Sequence, residues 1–487
     1  MSVSARAEAY TWMIKHGYSN CGACHADPSG GELLTVYGRA MSEAFLSSKW
    51  GGGEHAEESS ESAWLRRQMS QARSRAAGAK LAKPAAKKAP AAEEGAEDEA
   101  GEEEAGTEEE TTEEEGGEPS EEDAAAEGGE EAPAEGETAT EEAGPSRPFS
   151  DPFFGLLPLP EAILLGGSAR IASLYNSEAD TSLRVFPMQL DLYGELRVSE
   201  SFRGQASIGV AKVKAGSTHA RPAQITTNQG DGYRVISRTH WLAFDFGSGS
   251  HTIRAGRMNL PFGLRIPEHT MWVRERTETD RESDQQHGVA LAMNFEKLRF
   301  ELMGIAGNYQ SSPDDFRERG YSGYLEFAIS ERAAFGISSL ATTAKNDRFA
   351  PEENRAVLRQ AHGMFTRLGV ADMLAVMAEV DAISRSRKEL GYAGFLQLDF
   401  EPAQGLHLIG AVEGTNTGYP SNPNTAVLMG GIPTLVEQER VPGTGELQLG
   451  YWIGAQWFFL PHFDMRVDAI FRKGDPMQIM SQLHVYL

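Results

Sequence analysis

The chain of 487 residues holds only two cysteines, and both fall in one pentapeptide, Cys21-Gly22-Ala23-Cys24-His25. This spacing suits one chemistry: two thiols add across the vinyl groups of a haem, and the adjacent histidine is then delivered beneath the iron as an axial ligand. Two other uses of a Cys-x-x-Cys pair are less well served. A thioredoxin-like redox pair wants a βαβ setting, which the flanking sequence lacks. A zinc site wants two further Cys or His at suitable spacing, and there is no second Cys pair. The motif is therefore read as attaching one covalent haem c through Cys21 and Cys24, with His25 as the proximal iron ligand.

A distal ligand must come from elsewhere. Glu8–His16 reads as a short helix ending in His16, upstream of the motif. Leu34–Ser47 reads as a second helix with Leu34, Tyr37, Met41 and Phe45 on one face. His16 and Met41 are the two leading candidates, with His55 and Met69 further off. A methionine ligand would raise the haem potential. Met41 also fits ordinary core packing, and Arg39 suits either a haem propionate or solvent.

Ala5-Arg6-Ala7 has the form of a signal-peptidase site without the charged and apolar segments that normally precede one. Residues 1–7 are accordingly read as the remnant of a signal peptide. Export would agree with c-haem attachment, which takes place outside the bacterial cytoplasm.

The net charge of −26 comes from 45 Lys and Arg against 71 Asp and Glu. Its location matters more than its size. Glu93 to Glu142 contains 25 acids and no base, whereas Arg66 to Lys88 contains eight bases and no acid. The acidic tract is Glu, Ala, Gly, Thr and Pro, which cannot bury enough surface to offset the entropy of ordering. Residues 61–148 are read as a disordered basic and acidic linker. It divides an N-terminal module (8–60) from a C-terminal domain (149–487). The acidic balance excludes a nucleic-acid binder, which would carry a basic footprint. No run of apolar residues is long enough for a transmembrane helix.

The C-terminal domain alternates with period two. In Phe463–Arg472, Phe463, Met465, Val467, Ala469 and Phe471 oppose Asp464, Arg466, Asp468 and Arg472, with Ile470 out of pattern. Met188–Val198 and Leu447–Phe459 repeat the scheme. Sixteen strands are expected, at 163–177, 182–198, 202–214, 232–247, 251–262, 287–296, 298–309, 319–330, 333–344, 355–369, 372–384, 389–401, 405–416, 444–460, 463–473 and 476–487. Short connections such as Glu296–Lys297 and Leu460–His462 follow even strands. Long ones such as Gly216–Asp231, Gly263–Gln286 and Gly418–Gly443 mostly follow odd strands. That asymmetry belongs to a transmembrane antiparallel β-barrel with both chain ends in the periplasm. The fold class is thus mainly β: a sixteen-stranded outer-membrane barrel behind a small α-helical monohaem module.

Leu483, Val485 and Leu487 alternate as a barrel-assembly signal does. Sixteen strands leave room for an aqueous channel. Its lumen would carry Asp191, Glu195, Arg197, Glu301, Asp399, Asp464, Arg466 and Arg472. The charged loop Gly263–Gln286 either narrows the pore or faces the medium.

A haem motif joined to a porin-like barrel resembles the porin–cytochrome fusions of the bacterial outer membrane, found in iron-oxidising bacteria. There, C-x-x-C-H is followed by Pro, Leu and a Gly-Arg pair. Here the matching residues are Pro28, Leu34 and Tyr37-Gly38-Arg39. The resemblance covers residues of about 10–45 by motif and 150–487 by architecture alone. It implies a haem in or at the pore, passing electrons between an external donor such as Fe(II) or a mineral and a periplasmic c-type cytochrome or other redox carrier. It also implies contact with outer-membrane lipid.

Two features depart from that pattern. The linker is about 80 residues longer than a plug needs, with a reach on the order of 50 Å, which would suit a tethered periplasmic shuttle. The Pro28-Ser29-Gly30-Gly31 run is also richer in glycine. A passive solute porin with an accessory haem, or a scaffold for a separate multihaem cytochrome, are the other functions this architecture would serve.

Overall fold

In the computed structural model, the structure describes residues 10–16, 21–42, 46–48, 159–160, 162–177, 183–213, 222–226, 230–247, 250–268, 270–281, 283–308, 316–347, 355–386, 390–416, 426–429, 432–435 and 447–487. The acidic linker, His55 and Met69 lie outside them.

The strands are β1 (Ile163–Asn176), β2 (Leu183–Arg197), β3 (Phe202–Val213), β4 (Gly232–Ile236), β5 (His240–Phe246), β6 (His251–Met258), β7 (Gln286–Asn294), β8 (Leu298–Gly307), β9 (Arg319–Ser330) and β10 (Ala333–Ala344). They continue with β11 (Val357–Ala371), β12 (Leu374–Arg385), β13 (Gly391–Ala403), β14 (Leu406–Asn416), β15 (Ala426–Met429), β16 (Ile432–Leu435), β17 (Leu447–Leu460), β18 (Phe463–Arg472) and β19 (Gln478–Tyr486). Every neighbouring pair in the large sheet is antiparallel, and β1 pairs with both β2 and β19, which closes the ring. β4 and β5 both pair with β3 and form one broken stave, so the closed barrel has sixteen staves, as the alternation implies.

Period two explains the wall. On β12, Ala375, Met377, Glu379, Asp381, Ile383 and Arg385 are buried while Val380 on the other face is exposed. Around the ring the outward positions are large and apolar, including Leu190, Leu192, Leu196, Ile208, Leu242, Leu396, Leu398 and Ile453. No described helix is long and apolar enough to cross a membrane, which does not bear on strands. Of the expected lumen residues, Asp191, Glu195, Glu301, Asp399, Asp464 and Arg466 are buried inside. Arg197, near the rim, is half-exposed and pairs with Glu195.

Three sequence expectations need correcting. The strand expected at 251–262 stops at Met258. Pro261 has no N–H to give a ladder, and Leu260 and Phe262 turn inward with Met258 into an apolar cluster against Trp241 and Met303. The strand expected at 232–247 is interrupted at residues 237–239, where Ser207 instead receives hydrogen bonds from the backbone N–H of Arg238 and Thr239. The connection 418–443 contains the small hairpin β15–β16.

The loop between β6 and β7 folds into the barrel and does not face the medium. It carries a short helix, α2 (Trp272–Thr277). Arg466 pairs with Glu268 at 2.7 Å, Arg274 pairs with Glu379, and Arg359 donates to the Thr277 carbonyl. The described residues 10–16, 21–42 and 46–48 also lie inside. They contact β1 through Leu165, β3 through Arg203, β6 through Arg254, β13 through Asp399, β17 through Phe458 and β19 through Tyr486, which spans the ring.

These two insertions give the lumen a hydrophobic core. Trp12, Met13 and Leu46 of the N-terminal segment meet Leu264, Ile266, Met271 and Val273 of the loop. Wall residues Met377, Phe365, Trp452, Phe458 and Ile470 complete the cluster. Ile470, out of pattern in the sequence, is therefore in place: its lumen position faces apolar side chains, not water.

Candidate functional site

The Cys21–His25 motif forms a tight turn. Cys21–Ala23 is one 3-10 turn, and the Cys21 carbonyl accepts from the N–H of Cys24 at 3.2 Å and of His25 at 3.0 Å. The chain then doubles back. Ala26 donates to the Leu33 carbonyl at 2.9 Å and Thr35 to the Cys24 carbonyl at 2.8 Å, leaving His25 bridged to Leu34. Thr35 caps the helix that follows, α1 (Val36–Met41), by accepting from the Gly38 N–H at 3.1 Å. Gly38 is required by contact: a methyl there would overlap the Cys24 carbonyl. The α-helix begins at Val36, two residues after the start expected from its apolar stripe, and residues 43–45 of the expected 34–47 lie outside the described residues; of the helix expected at 8–16, Thr11–His16 is a 3-10 turn.

The motif is fixed to the wall. Asp27 accepts from the Ser29 N–H at 2.7 Å and pairs with Arg254 of β6, while Arg203 of β3 donates to the Ala26 carbonyl at 2.6 Å. Burial alone would raise the Asp27 carboxyl, but Arg254 and the Ser29 hydrogen bonds outweigh it and hold it below its ordinary value. Arg39, a propionate candidate in the sequence, is buried and donates to the Leu165 carbonyl.

Next to this turn lies a cavity lined by the N-terminal segment, the charged loop and the barrel wall. Cys24, His25, Leu34, Gly38 and Met41 line one side, with Met13 and Tyr10 beside them. Arg170, Arg238, Arg265 and Arg281, the acids Glu32 and Asp280, and Tyr486 are among the polar lining residues. Cys21 lies on an adjoining smaller pocket that shares Arg265. Both cysteines are buried, at 7% and 4% exposure, and neither is in a disulfide; Arg299 Nη1 lies 3.6 Å from the Cys21 sulfur.

The state of His25 suits a ligand. The side chain is buried, and neither ring nitrogen makes a well-formed hydrogen bond, the Gly31 backbone offering only a weak contact. Burial, with Arg281 adding to it, pushes the imidazole down to about 3, so it is neutral at physiological pH. A neutral imidazole with a bare nitrogen is the form that binds metal. Buried polar atoms are normally satisfied, and an iron ligated by His25 would satisfy one of these. The paired thiols outside any disulfide, the neutral imidazole and the adjoining cavity are the donor set a covalently attached haem would need. Among the described residues no group of three or more His, Cys, Asp or Glu side chains is placed to hold a bare metal ion.

The two distal candidates are placed differently. Met41 lines the cavity with His25. His16 points elsewhere: its Nε2 meets Glu401 Oε2 at 3.1 Å. Lys15 beside it bonds Asp399 and Glu401, both at 2.9 Å, and Trp12 stacks on His407 with ring centroids 4.1 Å apart. This anchor of Lys15 and His16 on β13 has no signal in the local sequence. Neither has Glu32, which lines the cavity and accepts from Gln205 at 2.8 Å. Burial and then Asp27 push the Glu32 carboxyl up to about 8, against the Thr239 hydrogen bond.

No protein-family model matches the chain, and no curated protein matches it. Among solved structures, the outer-membrane protein OmpT of Vibrio cholerae is similar at 10% identity and a TM-score of 0.46, over 68% of this chain and 100% of that one. OmpF of Salmonella typhi, in complex with daunomycin, is similar at 10% identity and a TM-score of 0.46, over 67% and 97%. The outer-membrane channel DcaP of Acinetobacter baumannii is similar at 12% identity and a TM-score of 0.44, over 67% and 97%.

Proposed function

We propose that this chain is an outer-membrane cytochrome–porin that carries one covalent haem c inside its barrel and passes electrons between an external donor and a periplasmic carrier. The observation that carries the reading is the Cys21–His25 turn, with both thiols outside any disulfide and a buried, neutral imidazole, beside a cavity inside a closed barrel. The membrane assignment is supported by the apolar outward face of a sheet without edges.

When bound, the haem supplies one-electron exchange between ferric and ferrous iron. The protein would do the rest. Cys21 and Cys24 would hold the group, and His25 would bind its iron. The Met13, Leu34, Met41 and Leu46 surfaces would exclude water from it, which bears on the potential. The wall charges that the N-terminal segment needs are already paired inside. With the short turns toward the periplasm, as is usual in such barrels, the segment at Ser47–Ser48, bonded to Gln404 and Phe458, stands at the periplasmic rim.

One haem does not bridge a hydrocarbon core of ~30 Å alone. A periplasmic c-type cytochrome is therefore the expected partner, and Fe(II) or a mineral surface the external one. On this reading the protein is an electron-transfer protein, with Fe(II) oxidation as its enzyme-like reaction.

The test is a chain expressed with the c-haem maturation system and fractionated to the outer membrane. It should show a Soret band and a covalent haem in denaturing gels. Reconstituted in liposomes, it should pass electrons from external Fe(II) to an enclosed cytochrome, and Cys21→Ser with Cys24→Ser should abolish that flow. A second reading, a passive solute channel, is favoured by the charged inner face of the wall. It predicts solute flux through the barrel that is indifferent to the cysteine substitutions.

A further inference from the structure

Arg265 enters the lumen on the loop between β6 and β7 and is 8% exposed. Its Nε and Nη2 have no hydrogen-bond partner, and it forms no ion pair among the described residues. The carboxylates whose charge reaches it, Asp27 and Glu301, are both engaged by Arg254. Arg238, on the same cavity, is by contrast paired with Asp191 at 2.9 Å. A buried guanidinium with idle donors is costly, because nothing replaces the water it has lost. Arg265 borders both the cavity lined by Cys24 and His25 and the pocket lined by Cys21, so its donors stand between the two thiols' surroundings.

Arg281, from the same loop, lines the same cavity. The one described hydrogen bond of its guanidinium is a long one, 3.4 Å to the Gly30 carbonyl. It sits against Gly31, whose φ of +88° favours glycine and where any side chain would overlap the guanidinium. The glycine run after His25 thus makes room for a second cation beside the motif.

We infer that Arg265 and Arg281 form the anion-binding pole of this cavity and receive the two propionate carboxylates of the haem attached at Cys21 and Cys24. The inference rests on the haem reading above and extends it. The loop that fills the lumen is then part of the cofactor site. Guanidinium forks match carboxylates in geometry as well as charge, and the cavity offers a dianion two of them.

The test uses the full chain matured with haem, as Arg265→Gln, Arg281→Gln and Arg265→Lys. Haem content is read by pyridine haemochrome, barrel closure by heat-modifiable gel mobility, the midpoint potential by spectroelectrochemistry, and the propionate bending modes by resonance Raman. Each Gln variant removes one positive charge near the haem. It should favour the ferric state about tenfold, a fall of about 59 mV for a one-electron couple, and should shift a propionate mode. Arg265→Lys should restore most of the potential but not the Raman frequency. If Arg281→Gln fails to fold, Arg281→Lys, which keeps the charge but not the fork, should shift the propionate mode at a near-parental potential. Haem-loaded Gln variants with the parental potential and Raman spectrum would overturn the inference while leaving the haem reading intact. A parent chain without haem would overturn both.

Discussion

Lys15 Nζ and Asp399 Oδ1 lie 2.9 Å apart with neither side chain exposed to solvent. They are 384 residues apart in sequence, and they tie the N-terminal segment to the barrel wall. Glu401 completes the pair at 2.9 Å, and His407 Nδ1 shares Asp399 at 3.0 Å.

Removing one partner of a buried pair leaves the other charge uncompensated, at a cost of about 3–5 kcal/mol. Lys15→Met should therefore release the N-terminal segment from the lumen, seen as protease cleavage near residue 16 in folded barrels. Adding Asp399→Asn should recover much of the loss. Equal protease resistance of parent and Lys15→Met would show that the pair does not hold the segment.

The two distal candidates separate by spectrum. Met41→Leu keeps the volume and removes the thioether. It should abolish the methionine–iron charge-transfer band and lower the midpoint potential. His16→Ala should leave the spectrum unchanged and weaken only the anchor to Glu401. The reverse pattern would assign the ligand to His16.

Gly38 touches the Cys24 carbonyl too closely for a side chain. Gly38→Ala should cost about 1–3 kcal/mol through overpacking. The effect should fall on the fraction of chains carrying covalent haem, measured on denaturing gels, while the heat-modifiable mobility of the barrel stays as in the parent.

Glu32 gives a pH dependence. Its carboxyl is pushed up to about 8 in the folded chain, above its ordinary value of 4.5. Between those limits the released segment loses a proton that the inserted one keeps. Insertion is thus favoured fully below about pH 4.5 and weakens as pH rises toward 8. In haem-free Cys21→Ser/Cys24→Ser protein, protease cleavage of the segment should increase over that range. Glu32→Gln should flatten the profile, and an unchanged slope in that variant would assign it to another group.

The Cys21–His25 motif was legible because it is local: five consecutive residues carry it. The sixteen staves were legible because period two repeats along every strand, as on β12 and β18. What was hidden lies in pairings between distant residues. Nothing near Lys15 signals Asp399, and nothing in the charged loop tells which wall its ions meet. One signal was present. Trp452, Phe458, Met377 and Ile470 sit at lumen parity, where an aqueous pore would carry polar side chains. Read together, they call for an apolar filling. The strand end at Met258 was misjudged because Leu260 and Phe262 extend the alternation past Pro261, while their burial is decided by the lumen cluster they join.

The ring closes where β1 meets β19, and Leu487 exchanges hydrogen bonds with Gly167 there. The N-terminal segment is held within this ring at 7% and 4% exposure of its two thiols. Insertion is therefore also a deadline. A maturation enzyme needs both thiols in reach, so a haem joined to Cys21 and Cys24 would be joined before the segment takes its place in the ring. Pulse-labelled chains should acquire haem before the segment becomes resistant to protease.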